Sequence, residues 1–164
     1  MMKKLYLIGG AMGVGKTTVC KRLRDRLPNC VFLDGDWCWD MHPFQVTEAT
    51  KAMVMDNICH LLNNFLRCPA YDSVVFCWVM HEQSILDDIL SRLEGPFDLR
   101  AVSLICREEC LIERLRADVR AGIREADVIE RSRARLKMYD ALNTIKLDVS
   151  DLSPEEAARR LAAL

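Results

Sequence analysis

The sequence predicts an α/β protein whose parallel sheet is covered by helices on both faces. Two observations carry this. Short apolar runs of strand length alternate with longer stretches whose apolar residues recur at helical spacing. Several of the runs, such as Ser73 to Val79, are apolar at successive positions, the pattern of strands buried on two faces. At 164 residues the chain has the length of one domain, enough to bury about two thirds of its unfolded surface, so residues 1–164 are expected to form a single unit.

The elements follow in order. Lys4 to Gly9 reads as a buried strand, and Thr17 to Leu27 as a helix stopped by Pro28-Asn29. Cys30 to Leu33 is a second short strand ending at Asp34-Gly35. From Thr47 to Leu66, Val54, Ile58, Leu61, Leu62 and Phe65 mark one buried helical face. Ser73 to Val79 is the third strand, and Gln83 to Leu93 a helix that Glu94-Gly95-Pro96 ends. Leu99 to Cys106 is the fourth strand. Glu108 to Val119 is helical, Ala121-Gly122-Ile123 interrupts the pattern, and Asp127 to Leu142 resumes it. Thr144 to Val149 is the last strand, and Ser153-Pro154-Glu155-Glu156 starts a helix with an N-cap, a first-turn proline and a capping-box glutamate.

Composition removes several function classes. Half of the residues are apolar, 29% are charged and the formal net charge is -1, so a polynucleotide partner is not expected. The eight cysteines lie at 20, 30, 38, 59, 68, 77, 106 and 110 with no Cys-x-x-Cys pair, and several sit inside apolar runs. Reduced thiols in a cytoplasmic protein are expected, in preference to a disulfide or zinc framework. The apolar run after Lys3-Lys4 ends at Gly9-Gly10, too soon for a signal peptide, and no membrane span is expected.

In a parallel sheet ligands bind at the carboxyl ends of the strands, which singles out 10–17, 34–42, 80–83, 106–124 and 149–153. The first of these is Gly10-Ala-Met12-Gly13-Val14-Gly15-Lys16-Thr17-Thr18, a match to G-x-x-x-x-G-K-[ST] between a strand and a helix. Glycines let backbone N–H groups close around phosphate oxygens, Lys16 reaches the β and γ phosphates, and the Thr17 hydroxyl ligates Mg²⁺. The Asn-Lys-x-Asp guanine motif of a switch GTPase is missing.

After the second strand, Asp34, Asp36, Cys38, Asp40 and His42 stand at every second position. A continuous extended backbone would make them one metal-binding face, and a solvated strand end is the plain alternative. Beside a phosphate loop the first two divide by role: Asp34 supports Mg²⁺ and Asp36 engages the acceptor hydroxyl as base or orienter. An EF-hand is excluded because Trp39 and Gln45 stand where it needs Gly and Glu. Trp37, Trp39, Met41 and Phe44 either cover the sheet end or form a wall for the acceptor, with Trp37, Trp39 and His42 the candidates for contact. The third strand ends without an Asp. That leaves Glu82 as the second candidate for the supporting acid, and His81 as an acceptor-pocket candidate or a plain helix-start residue.

The loop Gly-x-x-Gly-x-Gly-Lys-Thr-Thr resembles that of small-molecule and nucleotide kinases. Asp34-Gly35-Asp36 is similar to adenylylsulfate kinases, although Trp37-Cys38-Trp39 replaces the Asn and Arg that follow there. An acid hereabouts is also what shikimate kinase, gluconate kinase and chloramphenicol phosphotransferase use. The whole chain resembles the small bacterial P-loop proteins described as AAA-family ATPases or nucleotide kinases, a group that includes tunicamycin-resistance-like proteins. The resemblance implies a P-loop NTPase fold, a three-layer αβα sandwich with five parallel strands ordered 2-3-1-4-5. It also implies an arginine-containing lid at about 114–127 and ATP with Mg²⁺ as cofactors. Arg114 resembles the lid arginine of gluconate-kinase-like proteins. Arg120 and Arg124 share a helical face only if the helix runs through Gly122, so one of them is expected to reach the nucleotide, while Arg116 reads as solvated.

The reading is therefore an ATP-dependent phosphotransferase that moves the γ-phosphoryl group to a hydroxyl or phosphate of a small molecule. Lys16, Asp36, Arg114 and Arg120 carry the chemistry. The alternative is a regulatory nucleotide-binding ATPase without an acceptor. Acceptor identity and oligomeric state are left open.

Overall fold

The computed structural model describes residues 2–164. Five strands form one sheet: β1 (Lys3–Gly10), β2 (Cys30–Asp34), β3 (Ser73–Cys77), β4 (Phe97–Ile105) and β5 (Ile145–Asp148). All neighbours are parallel and the order is β2-β3-β1-β4-β5, as the resemblance implied. Ile8 lies opposite Cys77 on one side and Val102 on the other, so β1 is the central strand. Its residues Leu5 to Ile8 are fully buried, which accounts for their unbroken apolar run.

The helices are α1 (Lys16–Arg26), α2 (Glu48–Arg67), α3 (Gln83–Arg92), α4 (Glu108–Arg120), α5 (Val128–Leu136) and α6 (Pro154–Ala162). α1 packs against α6, α2 against α3 and α4 against α5, giving helical layers on both faces of the sheet. Two of the helices, α2 and α6, start in side-chain capping boxes. Ser153 accepts from the Glu156 N–H at 3.1 Å while Glu156 accepts from Ser153 N–H at 2.8 Å, the capping box expected from sequence. Thr47 and Thr50 make the same reciprocal arrangement at the start of α2. The buried Asn63 closes the C-terminal end of α3, donating to the Arg92 carbonyl and accepting from the Glu94 N–H.

Three local departures from the sequence reading shape the site. Gly35–Trp39 is a 3-10 turn, not a continuation of β2, so the alternation of Asp34, Asp36, Cys38, Asp40 and His42 does not form one face. β3 stops at Cys77 and not Val79. The chain then bends inward: Trp78 N–H donates to the Ile8 carbonyl, Gly10 N–H to the Val79 carbonyl, and Met80 sits at φ +40°. The helix expected over 127–142 is α5 followed by a 3-10 segment, Lys137–Ala141, that turns the buried Tyr139 inward. All eight cysteines are free thiols. Among the described residues no helix is long and apolar enough to cross a membrane.

Candidate active site

The loop from Ala11 to Gly15 turns tightly at the carboxyl end of β1. Gly13 and Gly15 take φ +88° and +101°, a region that favours glycine. Gly13 has a second constraint, since a Cβ there would lie 2.5 Å from Leu115 Cδ2 on α4. Val14 N–H closes the turn on the Ala11 carbonyl at 3.1 Å. Lys16 opens α1 and reaches back over the loop, its Nζ donating to the same carbonyl at 3.1 Å. Burial pushes the Lys16 ammonium below its usual pKa, partly offset by Cys77, Asp36 and Asp34 nearby.

The next residue meets the end of β2. Thr17 Oγ1 donates to Asp34 Oδ2 at 2.6 Å, and the Asp36 N–H donates to Asp34 Oδ1 at 2.9 Å. Asp34 is therefore a buried acid with both oxygens engaged, fixed between the helix that follows the phosphate loop and the 3-10 turn. Asp36 is different. Its side chain looks into an open cleft and keeps contact with solvent, yet the surrounding walls strip part of its hydration. That desolvation, reinforced by the Asp34 charge, raises its pKa; Lys16, the Trp78 indole and Arg124 pull it back. Trp78 also fixes the backbone beneath Asp36, because its ring root occupies the space a Cβ on Gly35 would need.

The third wall comes from α4 and the turn after it. Arg114 Nη1 donates to the Val14 carbonyl at 2.9 Å and Nη2 to the Val149 carbonyl at 3.4 Å, tying the phosphate loop to the segment after β5. Beyond Gly122, Arg124 Nε donates to Asp118 Oδ2 at 2.9 Å. These walls enclose a cavity of about 350 Å³, lined by the phosphate loop, Thr17, Thr18, both acids, Val79, Arg114, Asp118 and Arg124. Phosphate-gripping N–H groups, a lysine, a hydroxyl beside a carboxylate, and arginine thus converge on one space. Among the described residues no group of three or more His, Cys, Asp or Glu side chains has metal-site geometry. A divalent ion would here be held by Thr17 and Asp34 together with phosphate oxygens, which suits Mg²⁺ and its preference for few protein ligands.

A family model described as AAA domain matches residues 7–136. The chain belongs to this family. Its match covers the phosphate loop, both acids and the arginine-bearing turn of this P-loop AAA domain. No curated protein matches the chain. Among solved structures, the tunicamycin resistance protein of Deinococcus radiodurans is similar with a TM-score of 0.72 and 19% identity, over 98% of this chain and 94% of that one. A gluconokinase from Sinorhizobium meliloti gives 0.69 and 20%, over 99% and 91%. The Mycobacterium tuberculosis APS kinase, solved with AMPPNP and APS, gives 0.66 and 15%, over 99% and 96%. At these identities the likeness establishes the fold.

Of the residues singled out from sequence, this AAA domain gathers Met12, Gly13, Gly15, Lys16, Thr17, Thr18, Asp34, Asp36, Arg114 and Arg124 around the one cavity. Gly10 and Val14 shape the loop without lining it. Arg120 is exposed at the end of α4 and lies outside, because the helix ends before Gly122 and turns Arg124 in instead. Trp37 faces the far side of the 3-10 turn. There it borders a separate open cleft of about 730 Å³ with Cys38, Asp56, Asn57, His60 and Leu61. Trp39 packs between Trp78 and Phe44, with ring centroids 5.8 and 5.1 Å away, and serves the fold of the turn. His42 is exposed and lines neither cavity. His81 lines neither cavity and is half-buried, with Nδ1 unpartnered and Nε2 3.4 Å from Glu82. Two cavity residues, Val79 and Asp118, escaped sequence reasoning or entered it only as strand, as did Trp78, which lies beneath Asp36 outside the cavity lining.

Proposed function

We propose that this chain is a Mg²⁺- and ATP-dependent phosphotransferase acting on a small-molecule acceptor. The observation that carries the reading is the unequal pair of carboxylates at the end of β2. Asp34 is held by Thr17 and by the backbone beside the hydroxyl that would share a metal with it, while Asp36 is presented to the cleft that Lys16 also lines. A protein that only senses nucleotide needs no second carboxylate aimed at an acceptor. The kinases among the structural neighbours share this fold, and in parallel sheets ligands bind at the carboxyl ends of the strands, which supports the same class.

In this reading the loop N–H groups and Lys16 hold the phosphates, and Thr17 and Asp34 would hold Mg²⁺. When bound, the ion would supply neutralisation of phosphate charge. Asp36 accepts the hydrogen bond of the acceptor hydroxyl, orienting its oxygen toward the γ-phosphorus and taking its proton as the new P–O bond forms and the bond to the β,γ-bridging oxygen breaks, releasing ADP. Its raised pKa makes it a stronger base than a solvated Asp. Arg114, through the Val14 carbonyl, keeps the loop in register, and Arg124 offers positive charge from the turn after α4.

The test is an acceptor screen by ATP consumption with two variants. Lys16→Ala is expected to abolish turnover. Asp36→Asn is expected to keep ATP binding and lose transfer. Full transfer activity in Asp36→Asn would show the assigned role to be wrong, and acceptor-independent hydrolysis unaffected by Asp36→Asn would favour a regulatory ATPase.

A further inference from the structure

We propose that Asp118 is a positioning residue that aims the Arg124 guanidinium at the terminal phosphate of a bound nucleoside triphosphate. The inference rests on the phosphotransferase reading and extends it to a residue outside every motif.

The backbone brings the two residues together. Gly122 N–H donates to the Val119 carbonyl at 3.1 Å and Ile123 N–H to the Asp118 carbonyl at 2.9 Å. With Gly122 at φ +74°, this is a Schellman termination of α4. It reverses the chain, so a residue just past the helix lands beside the one that opens its last turn. Asp118 is that residue, and the next side chain after Ile123 is Arg124.

The contact uses only one edge of the guanidinium. Arg124 donates through Nε to Asp118 Oδ2, and among the described residues its two terminal nitrogens have no protein partner. Both residues line the phosphate cavity, and each side chain is about one third exposed: 30% for Arg124 and 31% for Asp118. The remaining fork is the pair of parallel donors that binds phosphate oxygens bidentately. No other cation in the cavity is so placed. Arg114 spends both terminal nitrogens on the carbonyls of Val14 and Val149, and Lys16 is a point charge that sits over the loop. The Arg124 charge is felt at Asp36 across the cleft, the side from which an acceptor would approach the terminal phosphate. Without Asp118 a long side chain beyond a helix end loses its anchor, and the fork must be ordered at the moment of binding.

The experiment is equilibrium titration of the full chain with Mg-ATP and with Mg-ADP, which needs no acceptor. Wild type, Asp118→Ala, Arg124→Gln and the double variant are compared. Asp118→Ala and Arg124→Gln are each expected to weaken ATP binding about tenfold while ADP binding stays within about twofold. The double variant should be no weaker than Arg124→Gln alone, because both changes remove one interaction. Asp118→Asn keeps an acceptor oxygen for Nε and should recover most of the loss. ADP affinity reports folding of each variant, and Asp118→Ser replaces the Ala variant if that one loses it. Additive losses in the double variant overturn the proposal. So does an Asp118→Ala protein that separates ATP from ADP as wild type does, or an Arg124→Gln protein that does so. Unchanged ATP binding in Lys16→Ala would instead count against the phosphotransferase reading itself.

Discussion

Gly35→Ala tests whether the floor beneath Asp36 is as tightly built as the geometry says. A Cβ on Gly35 would lie 2.5 Å from Trp78 Cγ, 2.6 Å from Cδ1 and 3.0 Å from Cβ. These are the root of the Trp78 side chain and not its far end, so swinging the ring tip does not relieve the clash. Either the 3-10 turn or the bend after β3 must move. Overpacking of this kind costs about 1–3 kcal/mol, several-fold more than an ordinary glycine replacement on the surface. The assay is urea denaturation of wild type, Gly35→Ala, Trp78→Ala and the double variant. Trp78→Ala removes two of the three contacts and leaves the 3.0 Å approach, so the cost of Gly35→Ala should fall by more than about 1 kcal/mol in that background. Because Asp36 is carried by the same turn, the single variant should also lose transfer activity while still binding ATP. The reasoning is refuted if the two changes add within about 0.5 kcal/mol, the agreement expected of independent sites.

Other consequences are checked more simply. The raised pKa of Asp36 means that its carboxylate is lost at a higher pH than that of a solvated Asp. The acid limb of kcat/KM should therefore lie above the ordinary aspartate value of 3.8, and the limb should vanish in whatever residual activity Asp36→Asn retains. Arg114→Ala frees the Val14 and Val149 carbonyls, and a loss of about 1–3 kcal/mol in thermal or urea denaturation is expected, with weaker ATP binding because the loop loses its tether. Arg114→Lys, which has no fork to span two carbonyls, should recover little of it.

The order of strands and helices was legible because each carries its own periodicity. The phosphate loop was legible because its glycines and Lys16 form a contiguous word. What the sequence hides is everything that depends on a bend. Trp78 stands inside an apolar run and reads as one more strand residue; only the inward turn after Cys77 sets it under Gly35. Asp118 reads as one more solvated acid on a helix until the Gly122 turn folds Arg124 back onto it. The Asp34-to-His42 row looked like one face because spacing of two assumes an extended chain. The 3-10 turn at Gly35–Trp39 rotates successive residues by about 120°, sending Asp36 and Trp37 into different cavities. The Gly122 break was visible, and with it the choice between Arg120 and Arg124, but not which of the two would face inward.

The anchoring of Arg114 limits how the adjoining segment moves. Its guanidinium bridges the phosphate loop and the segment after β5, so the first half of α4 travels with the sheet, and any closing motion over nucleotide must pivot further along. From Arg114 to the end of α4 at Arg120 the helix rises only about 9 Å. On so short a lever a rotation of about 20° carries the tip by about 3 Å, the reach of a single hydrogen bond. Engagement of a triphosphate would then resemble the closing of a latch more than the swing of a door, and a dye pair placed across the cleft would register it as a change of a few ångströms.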